Sequence, residues 1–184
     1  TAVAALGEFS RCYIELAAME KPGAEWYVDT ILHYLAERFG GRDATMNKAG
    51  EEILRAATLY GERNRPERKE ATDQLFFDYF PRHPLAPALL FRAGEQKFAD
   101  GDLIGAIACY GRVITNAPAS SVFFDAMNRL AHVYNKLDRP ADEIKTLRAY
   151  IARLEAREHP GQALPNAMYR LASVYRKVGV EYVR

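Results

Sequence analysis

Apolar residues recur along this chain at helical spacing, while Val, Ile and Thr form no run that alternates with polar residues and no Asn-Gly hairpin turn occurs. Breaks fall at Lys21-Pro22-Gly23, Gly40-Gly41, Arg65-Pro66, Pro81 to Pro87, Gly101-Asp102, Pro118, Arg139-Pro140 and His159-Pro160-Gly161. Between them lie nine segments of about 12–19 residues, an ordinary helix length. The connections are short, and short connections join antiparallel neighbours. Helices are therefore expected in pairs: 2–20 with 24–39, 45–62 with 66–80, 86–99 with 103–116, and 120–136 with 140–156. A last helix, 164–178, has no second member. Pro66 and Pro140 suit the first helical position, where a missing N–H costs nothing, and Asp102 is placed to cap helix 103–116.

The pattern repeats. Arg129-Leu130-Ala131-His132-Val133-Tyr134 and Arg170-Leu171-Ala172-Ser173-Val174-Tyr175 agree at five of six positions, with Lys136 and Lys177 following at the same distance. The frame also fits Arg92-Ala93-Gly94 and Arg55-Ala56-Ala57-Thr58-Leu59-Tyr60. The four arginines stand 37, 37 and 41 residues apart, and Arg65-Pro66 and Arg139-Pro140 are separated by 74, twice that period. Two markers with one spacing imply a repeat architecture, in which each hairpin buries its apolar face against the next.

The segment Pro87 to Pro118 resembles a tetratricopeptide repeat (TPR): Leu90, Gly94, Ala106, Tyr110 and Pro118 occupy the motif's large, small, Ala, aromatic and closing-Pro positions. The next unit keeps Leu130, Ala131 and Tyr134 but has Glu143 in place of Ala; the one before keeps Ala57 and Tyr60. A period of 37 against the standard 34 marks divergence. The stretch from Tyr79 to Leu89 is similar to Pro-rich joints of bacterial envelope repeat proteins, outer-membrane assembly lipoproteins and Tol-Pal accessory proteins among them. That resemblance implies a periplasmic or outer-membrane setting over a cytoplasmic one, although a cytoplasmic repeat protein can carry the same Pro-rich turn.

The TPR likeness implies an all-α fold, an α-α superhelix of about nine helices forming one domain over 1–184, as a segment of a longer protein. It also implies a protein or peptide partner in a groove lined by the first helix of each pair, at the second, fifth, ninth, twelfth and thirteenth places counted from Pro87. Those places hold Ala88, Phe91, Glu95, Phe98 and Ala99; then Asp125, Asn128, His132, Asn135 and Lys136; then Asn166, Tyr169, Ser173, Arg176 and Lys177. In the earlier unit they hold Glu51, Leu54, Thr58, Gly61 and Glu62. The expected partner-binding residues are Phe91, Glu95, Phe98, Asn128, His132, Asn135, Lys136, Tyr169, Ser173 and Arg176. Asn128 and Asn135, nearly two turns apart, should face one way. Glu51, Glu62 and Glu95 would make one end acidic and Lys136, Arg176 and Lys177 the other basic. In a second reading the chain is an assembly subunit that self-associates or extends a larger solenoid. The arginine ladder either holds acidic ligand groups or pairs between repeats, with Glu51 and Asp125 four residues before Arg55 and Arg129 as local partners.

Composition excludes more than it adds. With 25 basic and 24 acidic residues there is no global field to attract nucleic acid, and no apolar run approaches a membrane span. Cys12 and Cys109 read as small buried apolar residues, with a disulfide as the alternative. Histidines 33, 83, 132 and 159 show no metal spacing, no phosphate loop or nucleophile elbow is present, and Glu51-Glu52 and Asp142-Glu143 diverge on helix surfaces. Neither catalysis nor a cofactor is expected.

Overall fold

A computed structural model describes residues 2–19, 21–41 and 45–179. The described residues form nine helices and no strand: α1 (Ala2–Ala18), α2 (Ala24–Phe39), α3 (Thr45–Glu62), α4 (Pro66–Tyr79), α5 (Ala86–Ala99), α6 (Leu103–Asn116), α7 (Phe123–Lys136), α8 (Pro140–Glu155) and α9 (Ala163–Lys177). The all-α architecture of helical hairpins expected from the apolar spacing is the one adopted. The chain divides into two compact units, Thr1–Ala86 and Pro87–Arg184.

In the first unit α1 pairs with α2 and α3 with α4, while α1 also lies along α3 and α2 touches both α3 and α4. The first hairpin is thus stacked on the second. Its α2 contributes Val28, Leu32, Leu35 and Ala36 to a core shared with Ile14, Ile53, Ala56 and Phe76. Guanidinium groups from the second hairpin reach the first: Arg63 pairs with Glu15 at 2.5 Å, and Arg65 and Arg68 both pair with Glu25. Those bonds, Arg68 foremost, hold the Glu25 carboxyl below its ordinary range. The Pro-rich joint closes the unit around His83, which is buried against the Phe76 ring (5.2 Å between centroids). Its Nδ1 accepts from the Leu85 N–H at 3.1 Å, so its Nε2 carries the proton directed at the Asn47 carbonyl, 3.3 Å away.

In the second unit α6 packs on α7, α7 on α8 and α8 on α9. Ala106, Tyr110 and Val113 are buried from α6, and Phe123, Met127, Ala131, Leu147, Leu154 and Leu171 form the core of the following helices. The small residue at Gly94 has the purpose its place implies: a Cβ there would stand 2.7 Å from Tyr110 Cε1, so α5 and α6 approach over a bare backbone.

The joints separated by 74 residues are the same turn. Asn64 and Asp138 adopt left-handed backbone (φ 55 and 51), which these short polar side chains tolerate. The next N–H closes back over the helix end in a Schellman pattern, Arg65 to the Tyr60 carbonyl at 2.9 Å and Arg139 to that of Tyr134 at 3.0 Å. Pro66 and Pro140 then open α4 and α8 at the first helical position. Asp102 caps α6 by accepting from the Gly105 N–H at 2.8 Å.

Two expectations need correction. Helix α7 starts at Phe123 and not near 120, because two successive turns follow Pro118: Ser120 N–H to Ala117 (3.0 Å) and Phe123 N–H to Ser120 (3.2 Å). Cys12 is exposed on α1 and Cys109 half-buried; neither is in a disulfide. The apolar positions of α1 run around more than one face of the helix, so helical spacing alone did not say which of them turn inward.

Substituting Gly94→Ala should destabilise the second unit. Overpacking against the Tyr110 ring costs about 1–3 kcal/mol and the helix-propensity gain returns about 1 kcal/mol. A lower urea midpoint with unchanged slope is the expected result.

Candidate functional site

Within the second unit side chains of the first helices of successive pairs reach one another. The guanidinium of Arg129 on α7 pairs with Glu95 on α5 at 2.8 Å, and the His132 ring packs against Phe98 of α5 at 5.5 Å. From α9, Arg170 reaches Asn128 of α7 at 3.5 Å and Lys177 pairs with Asp138, just beyond α7, at 2.6 Å. Side chains of α5, α7 and α9 thus meet along one face of the second unit, Arg129 and Arg170 among them.

Much of that face is committed to holding itself together. Glu143, placed where a TPR has Ala, is only 2% exposed, and three donors converge on it. Arg170 Nε and Nη2 reach Oε1 at 2.9 and 2.7 Å, and Asn135 Nδ2 reaches Oε2 at 2.9 Å. One buried carboxylate thus joins α7, α8 and α9. A similar device joins α5, α6 and α7: Glu95 accepts from the Tyr110 hydroxyl and pairs with Arg129. Burial, then the bond to Glu95, pushes the Tyr110 phenol well above its ordinary value. In the first unit buried Glu52 is met by Arg11 of α1 and, at 2.7 Å, by Arg55.

These bridges correct several expectations. Phe91 is half-buried and packs on the Tyr110 ring (5.7 Å), toward α6 and away from the groove. Glu95 offers no free acid to a partner. Asn135 turns its amide to Glu143 while Asn128 faces Arg170, so the two amides do not act together. Arg55 and Arg129 pair with Glu52 and Glu95, not with Glu51 and Asp125. Glu52 and Glu143, taken as surface carboxylates, are buried. Ser173 bonds back to the Tyr169 carbonyl at 3.0 Å, one turn earlier on its own helix. In the first unit Glu51, Thr58, Gly61 and Glu62 are exposed and Leu54 is half-buried.

What remains available is a smaller set. Phe98 is half-buried beneath the Lys136 ammonium, 4.4 Å from its ring centre. Asn128, Lys136 and Arg176 are exposed, and Tyr169 leaves 73% of its surface open. His132 sits between them in a positive field: burial, then Arg170, Lys136 and Arg129, lower its pKa from the ordinary 6.5. The face can stack an apolar side chain on Phe98 and Tyr169, donate hydrogen bonds from Asn128, and attract a carboxylate to Lys136 and Arg176. Among the described residues no group of three or more His, Cys, Asp or Glu is placed to hold a metal, and no helix is long and apolar enough to cross a membrane.

No family model and no curated protein matches the chain. Solved structures do resemble it: the nearly identical TPR-like repeats of a Podosopora anserina protein assigned as a kinesin light chain, with a TM-score of 0.48, and a variant form of the same repeats, with 0.49. Each is 13% identical, and the match covers 97% of this chain and 87% of that one.

Glu143→Ala, although it restores the motif residue, should cost about 2–3 kcal/mol in denaturant unfolding because it strands the half-buried Arg170. The double substitution Glu143→Ala with Arg170→Leu should recover most of that loss. The His132 shift has a sign that can be checked. Its folded pKa lies below its unfolded value, so the folded state binds the proton less readily. The stability linked to it is complete above about 6.5 and falls as pH drops through the folded value. In a His132→Gln variant the decline in urea midpoint across that window should flatten.

Proposed function

We propose that this chain is a protein-interaction module that holds a peptide segment or partner helix along the α5–α7–α9 face of its second unit. The observation that carries this reading is the set of side chains left over once the inter-helix bridges are made. Phe98, Asn128, Lys136, Tyr169 and Arg176 lie on three neighbouring helices, with no carboxylate paired to Lys136 or Arg176 among the described residues. A stack held in one register by Glu95–Arg129 and Glu143–Arg170 keeps the helices that bear these groups at constant separation. They can therefore be met without ordering them first, which lowers the entropic cost of association.

The chemistry selects among partners. Phe98 and Tyr169 suit apolar side chains, the Asn128 amide suits main-chain groups of any sequence, and the positive field around His132 favours acidic residues. The reading is thus an acidic, apolar-anchored segment. A periplasmic or outer-membrane setting, carried by the Tyr79–Leu89 joint alone, stands beside it as a proposal about place.

The test is to select peptides from a displayed random library on the intact chain and measure their binding by fluorescence polarisation. A variant with Asn128→Ala, Lys136→Ala and Tyr169→Ala, its unfolding curve unchanged, should bind the selected acidic peptides at least about tenfold more weakly, since exposed anchors of this kind contribute roughly 1–2 kcal/mol each. Equal binding by that variant would overturn the proposal.

A further inference from the structure

The N-terminal hairpin has a second apolar face that no described residue covers. On α1, Val3, Ser10, Ile14 and Ala17 turn inward and are buried. Ala2, Ala5, Phe9, Cys12, Leu16 and Met19 turn outward, and all six are exposed. Their spacing alternates strictly between three and four residues, a seven-residue repeat narrower than the stripe a helix presents to a globular core. A single partner helix fits such a seam.

The seam continues onto α2. Tyr13, next to it on α1, stacks on Tyr27 of α2 with ring centroids 4.7 Å apart, and Trp26 meets Tyr27 edge-on at 5.0 Å. Phe9, Leu16, Met19, Trp26, Tyr27 and Tyr34 keep between 38% and 67% of their surface open. At about 150–250 Å² for a large side chain, they leave roughly 600 Å² of apolar surface to water. That is the upper end of what an isolated protein carries in one patch.

We propose that this face joins two copies of the chain, with α1 of one copy lying antiparallel along α1 of the other. The order of side chains along the seam favours that arrangement. Reversing the helix on itself sets Ala2 against the second copy's Met19, Ala5 against its Leu16 and Phe9 against its Cys12. Each layer then pairs a small residue with a large one, which is how facing helices interdigitate. No seam residue is charged, as a two-fold contact requires when like groups meet near its axis. At the margin Glu15 is paired with Arg63, and Glu8 is exposed. With Trp26, Tyr27 and Tyr34 of α2 covered beside the α1 seam, apolar area from both copies amounts to roughly 1,200 Å² before any polar rim, the threshold of a specific interface.

Sedimentation velocity of the full chain across the micromolar range should show a dimer. Phe9→Asp with Leu16→Asp should weaken it at least about a hundredfold with the helical circular dichroism unchanged, since both residues are exposed. In a Cys109→Ser background, a bifunctional maleimide spanning roughly the 8–10 Å between packed helix axes should link the two Cys12 thiols into a covalent dimer. A chain that stays monomeric throughout, whether bare or holding a helix of another protein, overturns the proposal. So does a dimer that survives the aspartates, or one that Cys12 does not crosslink.

Discussion

The arrangement of helices in the second unit rests on carboxylates set where helices meet, Glu143 buried and Glu95 partly so. Apolar faces attract one another without direction and tolerate sliding by a turn. A buried carboxylate does not: displaced from its donors it costs several kcal/mol, so one register is selected even though the bridge adds little net stability. Glu143 does this for α7, α8 and α9 through Asn135 and Arg170; the partly exposed Glu95 ties α5, α6 and α7 more weakly through Tyr110 and Arg129. Glu52 sets α1 against α3 by the same means.

Close packing and turn geometry supply what the bridges cannot. Bare backbone at Gly94 lets the Tyr110 ring fit beneath α5, and that contact puts the phenol within reach of Glu95. The left-handed residues Asn64 and Asp138 end two helices identically and aim the following Pro-led helices back along their partners. Register, spacing and direction therefore have different physical origins, with Tyr110 shared between the first two.

The same bridges determine which residues a partner can meet. Every donor directed at Glu143 or Glu95 already has a partner within the chain, and Glu95 is itself engaged, so the free set is smaller and more basic than a residue-by-residue transfer from the repeat motif implies. Lys136 and Arg176, which pair with no carboxylate among the described residues, and the open Tyr169 ring are left by subtraction. The outer face of α1 differs in kind: it has no buried charge, and no described residue covers its regular apolar seam.

The sequence by itself determined the helices, their pairing and the repeat period, because apolar spacing, Pro at helix starts and polar left-handed turn residues are local properties of twenty residues or fewer. It also set Phe98, His132 and Lys136 on neighbouring helices where they meet, since equal spacing in a repeat carries equal positions to the same side. Glu143 in an Ala position was a visible departure, yet its meaning was not legible. Whether such a carboxylate lies on the surface or is buried between three helices depends on donors 8 residues before it and 27 after it. Only the tertiary structure brought those donors together, and so only it decided that Asn135, Glu95 and Phe91 hold the stack while Cys12 faces water: helical spacing says which residues share a side, not what stands opposite.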